Sequence, residues 1–255
     1  MSLSGTLSGP LRRKLFLRSF LLQGSWNFEQ MQGLGALFVL SPLLRNLYQG
    51  EKLHQACARH LSYFNTHPFI APLILSGVAQ LELNKADAED IDEFRQLLMA
   101  PCAAMGDAFF WGGVRPFAAV LAMFFALHGS LLAPVVLLVV FNVPHLLVRV
   151  VGFAKGFALG EEVVDFLARC RLPDLAIHLK QGTLILLGVL CAGLTYSTLS
   201  VAGLSSDWGW GIVPAVFAVG WLARQRLSPL LLTLLLVAVI LALPGFTDIL
   251  ERLIL

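Results

Sequence analysis

Five apolar runs dominate the second half of the chain, near residues 111–129, 131–151, 182–204, 208–223 and 229–250, with short polar islands between them. Most approach the roughly 20 residues that a helix needs to cross a bilayer core, so the pattern predicts about five transmembrane helices. The fourth run is short, and Gly209, Gly211 and Pro214 weaken it as a regular helix. The first 110 residues are more mixed. We therefore expect an all-α integral membrane protein in two regions, an amphipathic and re-entrant part over 1–110 and a transmembrane part over 111–255.

Within the first region, "PLRRKLFLRSFLLQ" (10–23) sets leucines and phenylalanines against basic residues at helical spacing. Such a segment is either a helix in the inner membrane interface or an ordinary helix packed on protein. It is not a signal peptide, since Arg18 interrupts the apolar stretch and no small-residue cleavage site follows. Two apolar stretches, 33–48 with Pro42 and 67–81 with Pro68 and Pro72, are too short to span comfortably and read as core helices or re-entrant segments. Paired Gly/Pro-interrupted segments of this kind point to a transporter's substrate site, because broken helices expose backbone groups to a cavity. Between them, "EKLHQACARHLSYFNTH" brings Leu53, Cys57, His60 or Leu61, and Phe64 to one helical face, and the Asn-Thr-His-Pro at 65–68 ends that helix before His67. In "NKADAEDIDEFRQLL", Asn84 is a candidate N-cap, with acids through the first turns forming a solvated face or a docking patch.

Composition agrees with the pattern: 57% of residues are hydrophobic, 13% are charged and the mean hydropathy is +0.78. A formal net charge of +2 gives no reason to expect a nucleic-acid partner. Arg12, Arg13, Lys14 and Arg18 precede the runs, Arg149, Lys155, Arg169, Arg171 and Lys180 lie between the second and third, and Arg224 and Arg226 lie between the fourth and fifth. By the positive-inside rule this predicts a cytoplasmic N-terminus, five spans and an external C-terminus.

The candidate chemistry is sparse. Cys57, Cys102, Cys170 and Cys191 have neither disulfide nor zinc spacing, and His60 and His67 belong to no metal-ligand set. No nucleophile elbow or nucleotide-binding loop is present, so we expect no catalytic residues, no metal and no cofactor. Polar residues in costly places are more informative. "LLQGSWNFEQMQGLG" (21–35) is rich in amides and acids, Asp107 stands at the mouth of the first run with Arg115 as a candidate ion-pair partner, and Asn142 and His145 fall inside the second run. Each either lines a cavity or bonds a neighbouring helix. Glu161, Glu162 and Asp165 form an acidic cluster in the inner loop.

Four motifs in order, "FLRSFLLQGSWNFEQMQGLG", "HLSYFNTHPFIAPLILSGVAQLE", "LLMAPCAAMGDAFFW" followed by "RP", and "FNVPHLLVRVVGFAKGFALG", resemble the IID membrane subunit of the mannose/fructose/sorbose family of the bacterial phosphoenolpyruvate-dependent sugar phosphotransferase system. The likeness runs from about residue 11 to 160 and is weaker afterwards. It implies a subunit of the bacterial cytoplasmic membrane that carries no phosphoryl group. It also implies a hetero-oligomer with a IIC membrane subunit, served by cytoplasmic IIB and IIA phosphocarriers, that moves a hexose-type sugar. Trp26, Asn27 and Glu29 beside one apolar segment, Asn65 and His67 beside the other, and Asp107 and Asn142 are the candidate sugar-binding residues. The same groups suit capping buried backbone ends or contacting IIC, a reading that stands ahead of direct sugar contact, and both stay open. The chain departs from the family's "GPLAGIGDS" pattern with "APCAAMGDA", where added side chains threaten a close backbone approach and one hydroxyl is lost. A IID-like scaffold or regulator without transport is the alternative.

Overall fold

The computed structural model describes residues 7–201, 203, 205, 207, 209–225 and 228–242, and these are helical with no strand beyond isolated bridges. The helices are α1 (Gly9–Ser19), α2 (Gly33–Leu47), α3 (Gly50–Leu61), α4 (Ala71–Leu83), α5 (Ala88–Gly106), α6 (Arg115–Leu127), α7 (Leu132–Leu159), α8 (Val163–Arg169), α9 (Leu172–Val201), α10 (Gly209–Arg224) and α11 (Pro229–Ala242). An eight-residue π-helical segment, Asp107–Val114, joins α5 to α6 without a break. The chain divides into two compact units, Met1–Leu184 and Ile185–Leu255, with the division inside α9. The candidate functional residues all lie in the first unit.

The described residues of the five apolar runs fall mainly in α6 with the π segment before it, α7, α9, α10 and α11, and residues 243–250 of the fifth run lie outside the described residues. Ala88–Leu127 and Leu132–Val201 hold helix long and apolar enough to cross a bilayer. At 1.5 Å per residue, the 40 residues from Ala88 extend about 60 Å, twice a hydrocarbon core of about 30 Å. The acidic start of α5, with Glu89, Asp90 and Asp92, therefore has length to stand clear of the lipid.

The core of the first unit is α4. Its sequence is apolar on every side, and a helix of that kind is stable only when it is surrounded. Eleven of its thirteen residues are buried. Pro72 sits in the first turn, where its missing N–H has no helical partner to lose, so the helix is unbroken. Its tightest crossing is with α7. A Cβ on Gly156 would overlap Ser76 Oγ and the Leu73 carbonyl, so the two backbones meet through a small residue, as in membrane helix pairs.

The basic α1 packs on protein. Leu15, Ser19 and Leu22 are buried, Arg18 donates to the Phe38 carbonyl (2.8 Å) and Ser41 Oγ (2.9 Å), and its guanidinium lies 4.3 Å from the Phe38 ring centroid. Arg149 of α7 reaches the same C-terminal end of α1, donating to the Ser19 carbonyl at 3.2 Å. That bond places a cation on a helix C-terminus, where the dipole favours it. Two local readings need correction. Asn84 is the C-cap of α4, and Asp87 is the residue preceding α5, because the chain turns between them through Lys85 at φ +57°. Phe64 is buried, as the pattern predicts, but on the bridge segment after α3 ends at Leu61.

Candidate sugar site

The amide-rich loop 24–32 is strapped to the segment 62–67. Asn27 and Met31 exchange backbone bonds (3.2 and 2.9 Å), Gln32 N–H donates to the Phe64 carbonyl (2.8 Å) and Phe64 N–H to the Gln30 carbonyl (3.3 Å). Asn27 Oδ1 accepts the N–H groups of Glu29 (3.0 Å) and Gln30 (2.8 Å), an Asx turn that stabilises the loop from within. Buried Gln32 clasps Thr66 like a backbone peptide, donating from Nε2 to its carbonyl (2.8 Å) and accepting its N–H at Oε1 (3.1 Å). A Cβ on Gly33 would stand 2.5 Å from the Ser62 carbonyl oxygen, so only glycine permits this approach. Gln32→Ala would leave two buried backbone groups unpaired. It is expected to cost about 2 kcal/mol, read as a lower melting temperature of the purified protein in detergent.

Of the candidate residues, Trp26, Asn27, Glu29 and Asn65 fall on this loop pair. Trp26 and Phe28 form an exposed edge-to-face pair with centroids 4.8 Å apart, and Glu29 and Asn65 are exposed. His67 and Asp107 form a second group, with His67 Nε2 4.0 Å from Asp107 Oδ1. The buried imidazole stacks on Phe110 (5.1 Å, 15°), and its Nδ1 accepts the Phe69 N–H at 3.3 Å. Burial, with the Arg149 charge and His145 nearby, lowers His67 to about 4. At neutral pH the proton is therefore on Nε2, a donor with no partner among the described residues, directed at a carboxylate just out of reach.

Gly106 makes this contact possible, because a Cβ there would overlap the His67 ring. The departures in "APCAAMGDA" do not touch it. Cys102 is buried in the core, Ala104 is exposed, and the glycine facing His67 is retained. The expected Asp107–Arg115 pair is not among the ion pairs of the described residues; Arg115 instead lies over Trp111, 5.8 Å from the ring centroid. Asp107 is left 62% exposed.

Asn142 belongs to a ladder along α7. It donates to the Leu138 carbonyl (2.8 Å), and its Oδ1 lies 3.3 Å from His145 Nδ1. His145 accepts Arg149 Nε–H at 2.8 Å and stacks on Phe69 with centroids 3.8 Å apart. Asn142 thus reaches the His67 group only through His145 and Phe69. Sequence reasoning did not assign Gln32, Phe69 or Arg149 to the site, because each acts on residues remote in the chain. A hollow lined by Ile70, Leu73, Leu147 and Phe166 among others is almost wholly apolar and offers a sugar no hydrogen bonds.

Residues 6–249 match the model of the PTS system mannose/fructose/sorbose family IID component. The chain is 36% identical over 244 residues to the mannose-specific EIID component of the phosphotransferase system in Escherichia coli, an alignment spanning 86% of each chain. The chain belongs to this IID family. The IID component also superimposes on two solved structures. One, described as a membrane protein, gives a TM-score of 0.72 at 33% identity over 95% of this chain and 98% of the other. The second is a chain from a cryo-EM complex of the mannose transporter ManYZ with a microcin, with a TM-score of 0.58 at 32% identity over 95% and 97%. A IID component of a membrane sugar phosphotransferase system is thus what the sequence resemblance led us to expect.

Proposed function

We propose that this IID component forms, with a IIC membrane subunit, the sugar-translocating unit of the bacterial cytoplasmic membrane, and that IIB phosphorylates the arriving sugar. The mannose specificity of the Escherichia coli relative and the transporter complex containing a structural neighbour support a hexose-type substrate and a hetero-oligomer. The observation that carries the reading is Asp107, an exposed carboxylate among Phe110, Trp111 and His67 on an otherwise apolar helix. A group so costly to place there is retained for a polar cargo or partner, and carboxylates and aromatic faces are what sugars require. The loop pair with Trp26, Glu29 and Asn65 forms the neighbouring polar rim, which contacts sugar or IIC. Asn27 and Asn142, with amides engaged on their own backbone, act as positioning groups.

In this reading the N-terminus is cytoplasmic, five helices span and the C-terminus is external. A rigid-body movement presents the sugar inward, and the long inner loop and the acidic start of α5 are docking surfaces for IIB. Phosphorylation adds close to two negative charges, which bars return through an apolar path and makes uptake one-way. The scaffold alternative is not favoured, since the match covers nearly the whole chain.

The test is labelled-sugar uptake and phosphorylation in cells carrying this chain with its IIC, IIB and IIA proteins, across mannose, glucose, fructose, sorbose and amino sugars. Sugar phosphate should accumulate only when this chain is present. Asp107→Asn should lower uptake about tenfold to a hundredfold, the loss of a charged hydrogen bond, with assembly unchanged. Unaltered uptake in Asp107→Asn would remove Asp107 from the site, and no dependence on the chain for any of these sugars would sink the transport reading.

A further inference from the structure

We propose that Lys180 of α9 is a sugar-contacting and specificity-determining residue, set beside Asp107 by the glycine at 112. The inference rests on the transport reading above and adds a residue that neither motif nor spacing identifies.

In a π-helix, backbone bonds run from i to i+5, so Asp107, Trp111 and Gly112 lie one wide turn apart and share a face. Gly112 contributes no side chain to that face. The space is taken by Lys180, for a Cβ on Gly112 would stand 3.2 Å from its Cε and 3.5 Å from its Nζ. Immediately behind it, Gly113 and Leu179 are in contact, a Cβ on Gly113 lying 3.4 Å from Leu179 Cβ, so α9 approaches the π segment through two successive glycines. The lysine is therefore laid across the π segment, and it does not extend freely from α9.

Asp107 and Trp111 stand on the same π segment as the glycine that Lys180 crosses. The Asp107 side chain is 62% exposed, Trp111 is 40% exposed and Lys180 is exposed. Lys180 has no hydrogen bond or ion pair among the described residues, and Asp107 is met only by the His67 ring at 4.0 Å. Two opposite charges on one face that do not close on each other leave an acceptor and a donor free for a third molecule. A sugar ring satisfies all three groups. One hydroxyl donates to Asp107, a neighbouring oxygen accepts from Lys180, and the apolar face of the ring lies on Trp111. The positive-inside pattern assigns the entry to the first run and the start of the third to the same side of the membrane, the side on which Asp107 and Lys180 both fall.

A lysine just before an apolar run can instead extend to lipid headgroups, and the experiment separates the two roles. The full complex with IIC in membranes is assayed with the sugar from the panel above that the unaltered complex binds, recording apparent affinity and maximal rate. Lys180→Met is expected to raise the half-saturating concentration about tenfold, with assembly unchanged, and Lys180→Arg to recover part of the loss. Gly112→Ala pushes the lysine aside and should weaken affinity in the unaltered chain, yet add nothing in a Lys180→Met background, a coupling expected only of groups in contact. If Lys180→Met leaves affinity unchanged while Asp107→Asn weakens it, Lys180 serves the headgroups, and this proposal fails while the transport reading stands. If neither substitution alters sugar affinity, or no sugar in the panel binds, both fall together.

Discussion

Glu82→Ala is expected to destabilise the first unit by about 3–5 kcal/mol, the cost of removing one partner from a buried ionic cluster. Glu82 lies at the end of α4 with no exposed surface. Its Oε2 accepts from Tyr48 Oη at 2.7 Å, and its Oε1 is 2.6 Å from both Arg59 Nη2 and His60 Nε2. One carboxylate thus ties the end of α2 and the end of α3 to α4. Removing it strands the Arg59 charge and leaves a partly buried phenol and a buried imidazole unpaired. Burial alone raises the acid's pKa, but hydrogen bonds from His60, Tyr48 and Arg59 outweigh it and lower Glu82 from 4.5 to about 2. A carboxyl group lowered in this way stabilises the fold fully above its unfolded value near 4.5, and loses that contribution as pH falls towards 2.

The histidines act with the same sign. Burial holds His60 below 6.5, against the pull of Glu82, and His67 at about 4, so the unfolded chain binds protons more readily below pH 6.5. Thermal melts of the purified protein should fall gently below about pH 6.5 and steeply below about 4.5. In Glu82→Ala the steep limb should flatten. An unchanged pH profile in that variant would show that the carboxylate does not hold these helices.

Gly106→Ala is the second large effect, and it falls on transport. The added methyl has no room against the His67 ring, and overpacking of this kind costs about 1–3 kcal/mol. The cheapest relief is to move His67 off Phe110 or to turn the first residues of the π segment, and either displaces Asp107. Uptake should fall about a hundredfold, since small misplacements of positioning groups have effects of that size. Solubilised protein should still assemble with IIC. Ala104→Gly, an exposed position two residues earlier in the same motif, is the control and should leave uptake within about twofold. Wild-type uptake in Gly106→Ala would mean that the His67–Asp107 approach is not used.

Much of this architecture is legible in the sequence because lipid exposure and burial write strong patterns. The apolar runs give α6, α7, α9, α10 and α11, and the all-round apolarity of residues 71–81 is the mark of a surrounded helix, one of the two readings left open for that stretch. Local chemistry is harder to read. Asn84 suits an N-cap and a C-cap alike, and only the left-handed turn at Lys85 decides between them. Of the candidate site, His67 and Asp107 stand out by type and place, but what they touch does not. Gln32 meets Thr66 across 34 residues, and Lys180 meets Gly112 across a distance that no periodicity reports. The amide-rich loop is largely structural, with Asn27 Oδ1 and the Gln32 amide spent on backbone, while Trp26 and Glu29 stay exposed.

The π segment also sets phase. An α-helix advances about 100° per residue, so a single deletion between Asp107 and Val114 that restored α-helical register would rotate all of α6 by about that angle relative to α5. Ala118 and Ala122, now turned inward, would swing out of the interior, and the seam between α6 and α7 would have to be rebuilt. The wide turn thus lets the acidic start of this long helix and its apolar end point in independently chosen directions while remaining one rod.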